Sequence, residues 1–158
     1  MVRPGDTAPD ISLPGTYKAD GGRRTYTLAE YRGRPVVLVF YPGDHTPVCT
    51  RQLETYTNDI ELFREVDAQV LAISPQSVDS HEKFSCGSGG FGFPLLADED
   101  KEVGHQYGVP GPLGFYRRSV FVVDADGVVR YVHRARNSLV FRPTDELVAA
   151  VRHAAVPS

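Results

Sequence analysis

The chain has 158 residues, of which 41% are hydrophobic and 23% charged, an ordinary balance for one folded domain with a single well-buried core, expected here over 1–158. The formal net charge of -3 argues against a nucleic-acid binder driven by phosphate contacts, and no apolar run approaches the ~20 residues that span a bilayer. The segment from Met1 to Gly15 has no apolar h-region, so no signal peptide is read, a cytoplasmic location follows as the default, and the two cysteines, Cys49 and Cys86, are expected to rest reduced.

Residues 1 to 26 are rich in turns, with apolar segments at Ile11 to Leu13 and around Tyr26 separated by Asp20-Gly21-Gly22, a pattern that predicts an N-terminal β-hairpin. Thr27-Leu28-Ala29-Glu30 is a capping-box pattern that opens a short helix, closed by Gly33 and Pro35. Val36 to Tyr41 is an unbroken apolar run rich in valine and predicts a buried central strand. Pro42 and Gly43 break it, Asp44 and His45 carry a loop, and Thr46-Pro47 is a helix start, with Thr as N-cap and Pro at the first helical position.

Cys49 then falls at the third helical position, among backbone N–H groups that lack intrahelical acceptors and at the positive end of the helix dipole. That setting favours a thiolate. Moving a thiol from an ordinary pKa near 8.5 to roughly 6 takes about 3.4 kcal/mol of preference for the anion. The dipole supplies only ~0.3–2 kcal/mol, so a second positive group is expected beside the sulfur.

The helix begun at Pro47 is expected to be long, because Leu53, Tyr56, Ile60 and Phe63 recur at helical spacing. Val70 to Ser74 is a second strand, and Ser77 to Cys86 a helix that runs into Gly87-Ser88-Gly89-Gly90, a segment expected to unwind easily because glycine costs roughly 1 kcal/mol against alanine. A strand within Phe91 to Leu96, a helix over Asp98 to Tyr107 and a Pro/Gly loop over Val109 to Gly114 follow. Val120 to Val123 and Val128 to Val132 flank Asp124-Ala125-Asp126-Gly127, a hairpin, and Pro143-Thr144-Asp145 opens a last helix that buries Leu147, Val148 and Val151. The order predicts an α/β fold, a mixed sheet with helices on both faces.

Pro42, Thr46 and Cys49 form P-x-x-x-T-x-x-C directly after a strand and at a helix start, and this resembles the active-site motif of the peroxiredoxins, thiol peroxidases on a thioredoxin-like fold. Arg118-Ser119-Val120-Phe121-Val122-Val123-Asp124-Ala125-Asp126-Gly127 resembles the family's strand bearing its active-site arginine, with its D-x-D-G turn. The likeness extends from Gly5-Asp6-Thr7-Ala8-Pro9-Asp10 through Phe93-Pro94-Leu95-Leu96-Ala97-Asp98 to the C-terminal helix.

The resemblance implies that Cys49 is the peroxidatic cysteine, that Thr46 holds its hydroxyl against thiolate and peroxide, and that Arg118 is the missing positive group. It implies further that Pro42 shields the sulfur, that the amides of Val48 and Cys49 bind peroxide oxygen, and that Gln52 buttresses the arginine from the next helical turn. Period-2 alternation turns Arg117 to the opposite face of the strand from Arg118. Within the family the chain looks most like the bacterioferritin-comigratory or Q-type group. Many of its members have a resolving cysteine five residues after the first, where this chain has Glu54, and others have one on the following helix, where Cys86 stands. The implied cycle condenses the Cys49 sulfenic acid with Cys86 into an intramolecular disulfide, reduced in turn by a thioredoxin-like protein; the substrates are hydrogen peroxide and small organic hydroperoxides.

Blander readings stand beside these. Cys86 as a bystander leaves a one-cysteine enzyme resolved by an outside thiol, and a non-enzymatic redox sensor or holdase would use the same oxidised cysteine. A thioredoxin-type reductase needs C-x-x-C, and Thr46 holds the partner place. His45 near Cys49 raises a Cys/His pair or a metal site, but two ligands do not make one, and no cofactor is implied. Arg130, His133, Arg134, Arg136 and Arg142 read as a solvated basic face or a partner surface. Phe40, Tyr41, Phe115 and Tyr116 read as walls of a substrate pocket or as core. The expected assembly is a monomer or weak homodimer, with no nucleic-acid or membrane partner.

Overall fold

A computed structural model describes residues 2–136 and 139–155; the outer limits of the expected domain, at 1 and 158, lie outside the described residues. Its sheet has seven strands in the order β2-β1-β5-β4-β3-β6-β7, where β1 is Ser12–Tyr17, β2 Gly22–Thr27, β3 Val36–Phe40, β4 Gln69–Ser74, β5 Leu95–Ala97, β6 Ser119–Val123 and β7 Val129–Arg134. Strand β3 runs parallel to β4 and antiparallel to β6, pairing Leu38 with Leu71 on one side and Phe121 on the other. All five of its residues are buried, so each contributes roughly the 1.5–3 kcal/mol of a fully enclosed aliphatic or aromatic side chain. The N-terminal hairpin forms as expected and is joined to the main sheet where Gly15 and Thr16 of β1 face Leu96 and Leu95 of β5.

Alternation along β3 divides the core into two layers. Val36, Leu38 and Phe40 face Leu71, Ile73, Phe121, Val103 and Tyr107 on one side of the sheet. Val37, Val39 and Tyr41 face the other, where they meet Cys49, Leu53 and Tyr56 of α1 (Pro47–Asn58), Phe63 of α2 (Ile60–Glu65), Phe84 of α3 (Val78–Gly87) and Leu147, Val148 and Val151 of α5 (Thr144–Ala154). The remaining helix, α4 (Glu102–Tyr107), lies on the first side, so helices cover both faces of a mixed sheet.

Several boundaries depart from the sequence expectation, each for a local reason. The capping box is made, with Thr27 N–H donating to Glu30 at 2.9 Å and Glu30 N–H to Thr27 Oγ1 at 3.3 Å, but it opens only a three-residue 3-10 turn at Ala29–Tyr31 before Gly33 takes φ 103. The single long helix is two: Asp59, at φ -97 and ψ 15, separates α1 from α2. Thr57, Asn58 and Asp59 are all weak helix formers, and the Asp59 carboxylate accepts the Thr144 hydroxyl of α5 at 2.7 Å. The strand expected within Phe91 to Leu96 narrows to Leu95–Ala97, since Pro94 has no N–H for the ladder. Phe91 packs instead edge-on against Phe84 of α3, at 4.9 Å between ring centroids. Helix α4 begins at Glu102 rather than Asp98 because Lys101 is left-handed, at φ 61, and the Asp98 carboxylate takes the N–H groups of Val103 and Gly104.

Three arginines of the basic cluster are tied down individually, while Arg136 is exposed. Arg130 pairs with Asp124 at 2.8 Å, Arg142 pairs with Glu146, and Arg134 donates to the carbonyls of Val2 and Tyr107. Phe40 and Tyr116 belong to the core layer opposite Cys49, and Phe115 is 69% exposed, so among the four aromatic residues expected as pocket walls only Tyr41 shares the layer of the sulfur.

Candidate active site

The chain leaves β3 at Phe40, and six residues later Thr46 adopts the extended conformation that starts α1, with φ -88 and ψ 145. Pro47 occupies the first helical position and brings no N–H, and the first i to i−4 hydrogen bond is donated by Thr50 to the Thr46 carbonyl at 2.9 Å. The amides of Val48 and Cys49 precede it, so the geometry of a helix start leaves them without intrahelical acceptors. Cys49, at the third position, is fully buried, with Pro42 and Val48 half-buried near it in sequence.

Thr46 takes the N-cap position but makes no side-chain capping bond; its hydroxyl donates to the Gly43 carbonyl at 3.2 Å and folds the loop back on itself. That hydroxyl oxygen keeps its acceptor lone pairs, and the residue is exposed.

Arg118 comes from the far side of the sequence, one residue before β6, and is 3% exposed. Register against β3, which pairs Phe40 with Ser119, brings it to the end of the strand from which the active-site loop departs. Its Nη2 donates to Cys49 Sγ at 3.2 Å and its Nη1 to Gln52 Oε1 at 2.5 Å. Arg117, next to it, is exposed, as strand alternation requires. Gln52 lies one helical turn after Cys49 and is itself fully buried; its amide donates to the Tyr56 hydroxyl at 3.5 Å, and Tyr56 donates to the Arg142 carbonyl at 2.5 Å. Burial pushes the Tyr56 phenol up to about 12, so it stays a donor at neutral pH. The guanidinium is thereby held in plane against a sulfur that donates nothing useful to it as a thiol and accepts from it strongly as an anion.

Tyr41 is fully enclosed, but its hydroxyl turns to the loop and donates to Asp44 at 2.7 Å. Asp44 also accepts from Ser80 Oγ and His81 Nδ1 of α3, each at 2.7 Å. Burial opposes a charged Asp44, but these hydrogen bonds, that of His81 foremost, outweigh it and hold the carboxyl below its ordinary 3.8. From the sequence Asp44 reads as a loop residue and Tyr56 as part of the apolar face of its helix, neither with a part in the site, and Ser80 and His81 go unremarked; the i, i+3 spacing of His81 and Phe84, which makes them the buried face of α3, is the available signal. His45 is exposed, left-handed at φ 63, and sets its ring 5.2 Å from that of Phe84.

Cys86 stands on α3, exposed, and both cysteines are free. It lines a cavity of about 610 Å³ together with Tyr17, Lys18, Glu82, Phe91 and Phe93. Beyond it Gly89 and Gly90 take φ 79 and 93, a path that residues with a Cβ rarely follow. No helix among the described residues is long and apolar enough to cross a membrane, and no group of three or more His, Cys, Asp and Glu among them is placed to hold a metal ion.

The model of the AhpC/TSA family matches residues 4–132. The chain is 36% identical over 134 residues to a chloroplastic peroxiredoxin Q of Oryza sativa subsp. japonica, a match that takes in 84% of this chain and 59% of the rice protein. It is also 36% identical over 137 residues to the selenocysteine-containing peroxiredoxin PrxU of Peptoclostridium acidaminophilum, covering 82% of this chain and 66% of that protein. The chain thus spans about three-fifths of the length of its rice relative. Among solved structures, Mycobacterium tuberculosis AhpC superposes with a TM-score of 0.86 at 25% identity, over 96% of this chain and 92% of the other. The sheet and helices make the α/β thioredoxin-like fold, and with the family model matched over most of its length the chain belongs to the AhpC/TSA family.

Proposed function

We propose that the protein is a thiol-dependent peroxidase that reduces hydrogen peroxide and small organic hydroperoxides through Cys49. The observation that carries this reading is the hydrogen bond from Arg118 Nη2 to Cys49 Sγ, 3.2 Å long between residues 69 apart in the chain. A buried guanidinium at the start of a helix is an arrangement suited to holding a sulfur anion, and the thiolate is the nucleophile in such chemistry. Cys49 Sγ attacks the terminal oxygen of the hydroperoxide; the S–O bond forms, the O–O bond breaks, and the alkoxide or hydroxide leaves with a proton. The amides of Val48 and Cys49 and the Arg118 guanidinium are donors fixed in advance for the developing negative charge, while Thr46 orients the peroxide and Pro42 limits access to the sulfur.

Cys86 is proposed as the resolving cysteine. Its sulfur attacks the sulfenic sulfur of Cys49, a disulfide forms, and water leaves. A disulfide needs Cα atoms about 4.4–6.8 Å apart, and the two cysteines start on separate folded helices, so the cycle requires α3 to unwind at its glycine-rich end. A thioredoxin-like protein then reduces the bridge. Peptide mass mapping under non-reducing conditions after one equivalent of peroxide tests this: a Cys49–Cys86 crosslink is expected, whereas sulfinic acid on Cys49 with Cys86 still free would refute the two-cysteine cycle.

A further inference from the structure

Helix α3 encloses only two of its residues, His81 and Phe84. Its ion pairs to Arg23, made by Asp79 and Glu82, are largely exposed and hold it weakly. Phe84 packs against Tyr41 and Phe91. His81 is a stronger tie. Its Nδ1 lies 2.7 Å from Asp44 Oδ2 and its Nε2 lies 2.8 Å from the Leu96 carbonyl, and neither residue leaves any side-chain surface to solvent. The Leu96 carbonyl only accepts, so Nε2 donates to it, and Nδ1 shares a proton with the Asp44 carboxyl. The pair is closed off from water.

Around it stand the Tyr41 hydroxyl from the end of β3, Ser80 from α3 itself and the backbone of β5, and the Asp44 N–H donates to Gln76. The Tyr41 phenol is raised well above 10, by burial first and then by Asp44, so it too only donates to the carboxylate. Asp44 lies in the loop that ends at Thr46, five residues before Cys49, whose side chain has no exposed surface. An oxygen added to that sulfur has to be accommodated in a close-packed interior, and the loop and helix start are what can move.

We infer that the buried Asp44–His81 hydrogen bond is a latch that holds α3 against the active-site loop while Cys49 is reduced, and that oxidation of Cys49 loosens it and frees Cys86 to close the disulfide. The trigger rests on the peroxidase cycle proposed above; the latch is a property of the reduced protein. Asp44 and His81 are positioning residues, acting through the loop and the helix.

Amide hydrogen exchange of the reduced protein, compared between wild type and His81→Gln, tests the latch. Exchange of residues 78–87 should quicken by about tenfold or more, with β3, β4 and α5 unchanged. After one equivalent of hydrogen peroxide, disulfide formation should speed up several-fold while the rate of Cys49 oxidation stays within about twofold, a split that general loss of stability does not produce. Unchanged exchange in α3, or equal acceleration in every element, would overturn the latch, and an unchanged disulfide rate would overturn its coupling to Cys49. If His81→Gln does not fold, Ser80→Ala, which removes one donor from Asp44, should shift both readouts in the same direction by less, and no shift would count against the latch. A wild type that forms no Cys49–Cys86 bridge refutes the resolving step and the trigger, and hydrogen exchange still judges the latch.

Discussion

Arg118 supplies to Cys49 the second positive group that the dipole of α1 alone does not. Its other arm is held by Gln52, so the substitution Gln52→Leu keeps the volume and removes the acceptor. A hydrogen bond to a charged group contributes about 1.5–3 kcal/mol, so the second-order rate constant with hydrogen peroxide should fall by roughly tenfold or more, and a variant as fast as wild type would show that Gln52 has no hold on the arginine. Asp44 gives a pH dependence of known sign. Its folded pKa is depressed below 3.8, so its contribution to stability is complete above that value and is lost as pH falls through the folded one. Urea midpoints should therefore drop below about pH 4, less steeply in Asp44→Asn; parallel profiles for the two proteins would contradict this. That Cys49, Arg118 and Gln52 lie together was legible through the likeness to the family's motifs, whereas the contacts of Asp44, His81 and Tyr56 are with partners on other elements, which spacing along the chain does not reveal.

At the scale of elements the break at Asp59 is the clearest lesson. Leu53, Tyr56 and Phe63 are all buried, so the apolar spacing continues across the junction of α1 and α2 and reads as one helix. What ends α1 is the local chemistry of Thr57 to Asp59 and the tie from Asp59 to Thr144 of α5. Thr144→Val should cost about 0.5–1.5 kcal/mol of unfolding free energy in urea, and no loss would mean that the tie contributes nothing to the junction. The capping box of Thr27 and Glu30 was legible and its hydrogen bonds are made, yet the length of the turn was not, because Gly33 and Pro35 act on the backbone before a second turn can form. In the basic cluster three arginines have acceptors of their own, Arg130 in Asp124, Arg142 in Glu146 and Arg134 in two carbonyls, and those partners are not legible from the run of basic residues alone.

For the molecule as a whole, the sheet brings the two halves of the site together. Pairing β3 with β6 sets Arg118 beside the loop that follows Phe40, and pairing β1 with β5 ties the N-terminal hairpin to the edge of the central strands. A mixed sheet with helices on both faces follows from the order of apolar runs, but the strand order does not, because the backbone hydrogen bonds that set it leave no mark in composition. Gly15 is where the hairpin joins most closely: a Cβ there would lie 2.8 Å from the Leu95 carbonyl and 2.9 Å from the Tyr26 ring. Gly15→Ala should lower stability by about 1–3 kcal/mol, read from urea unfolding, and a variant as stable as wild type would show that the join tolerates an added methyl. The account as a whole depends on Cys49 reacting as an anion beside Arg118. Stopped-flow oxidation by hydrogen peroxide of the Cys86→Ser protein, with Arg118 and with Arg118→Ala, measures this directly. The prediction is a rate constant lower by about 10²–10³ in the Arg118→Ala protein, with the ultraviolet thiolate absorbance at neutral pH falling alongside it; equal rates and equal absorbance would contradict it.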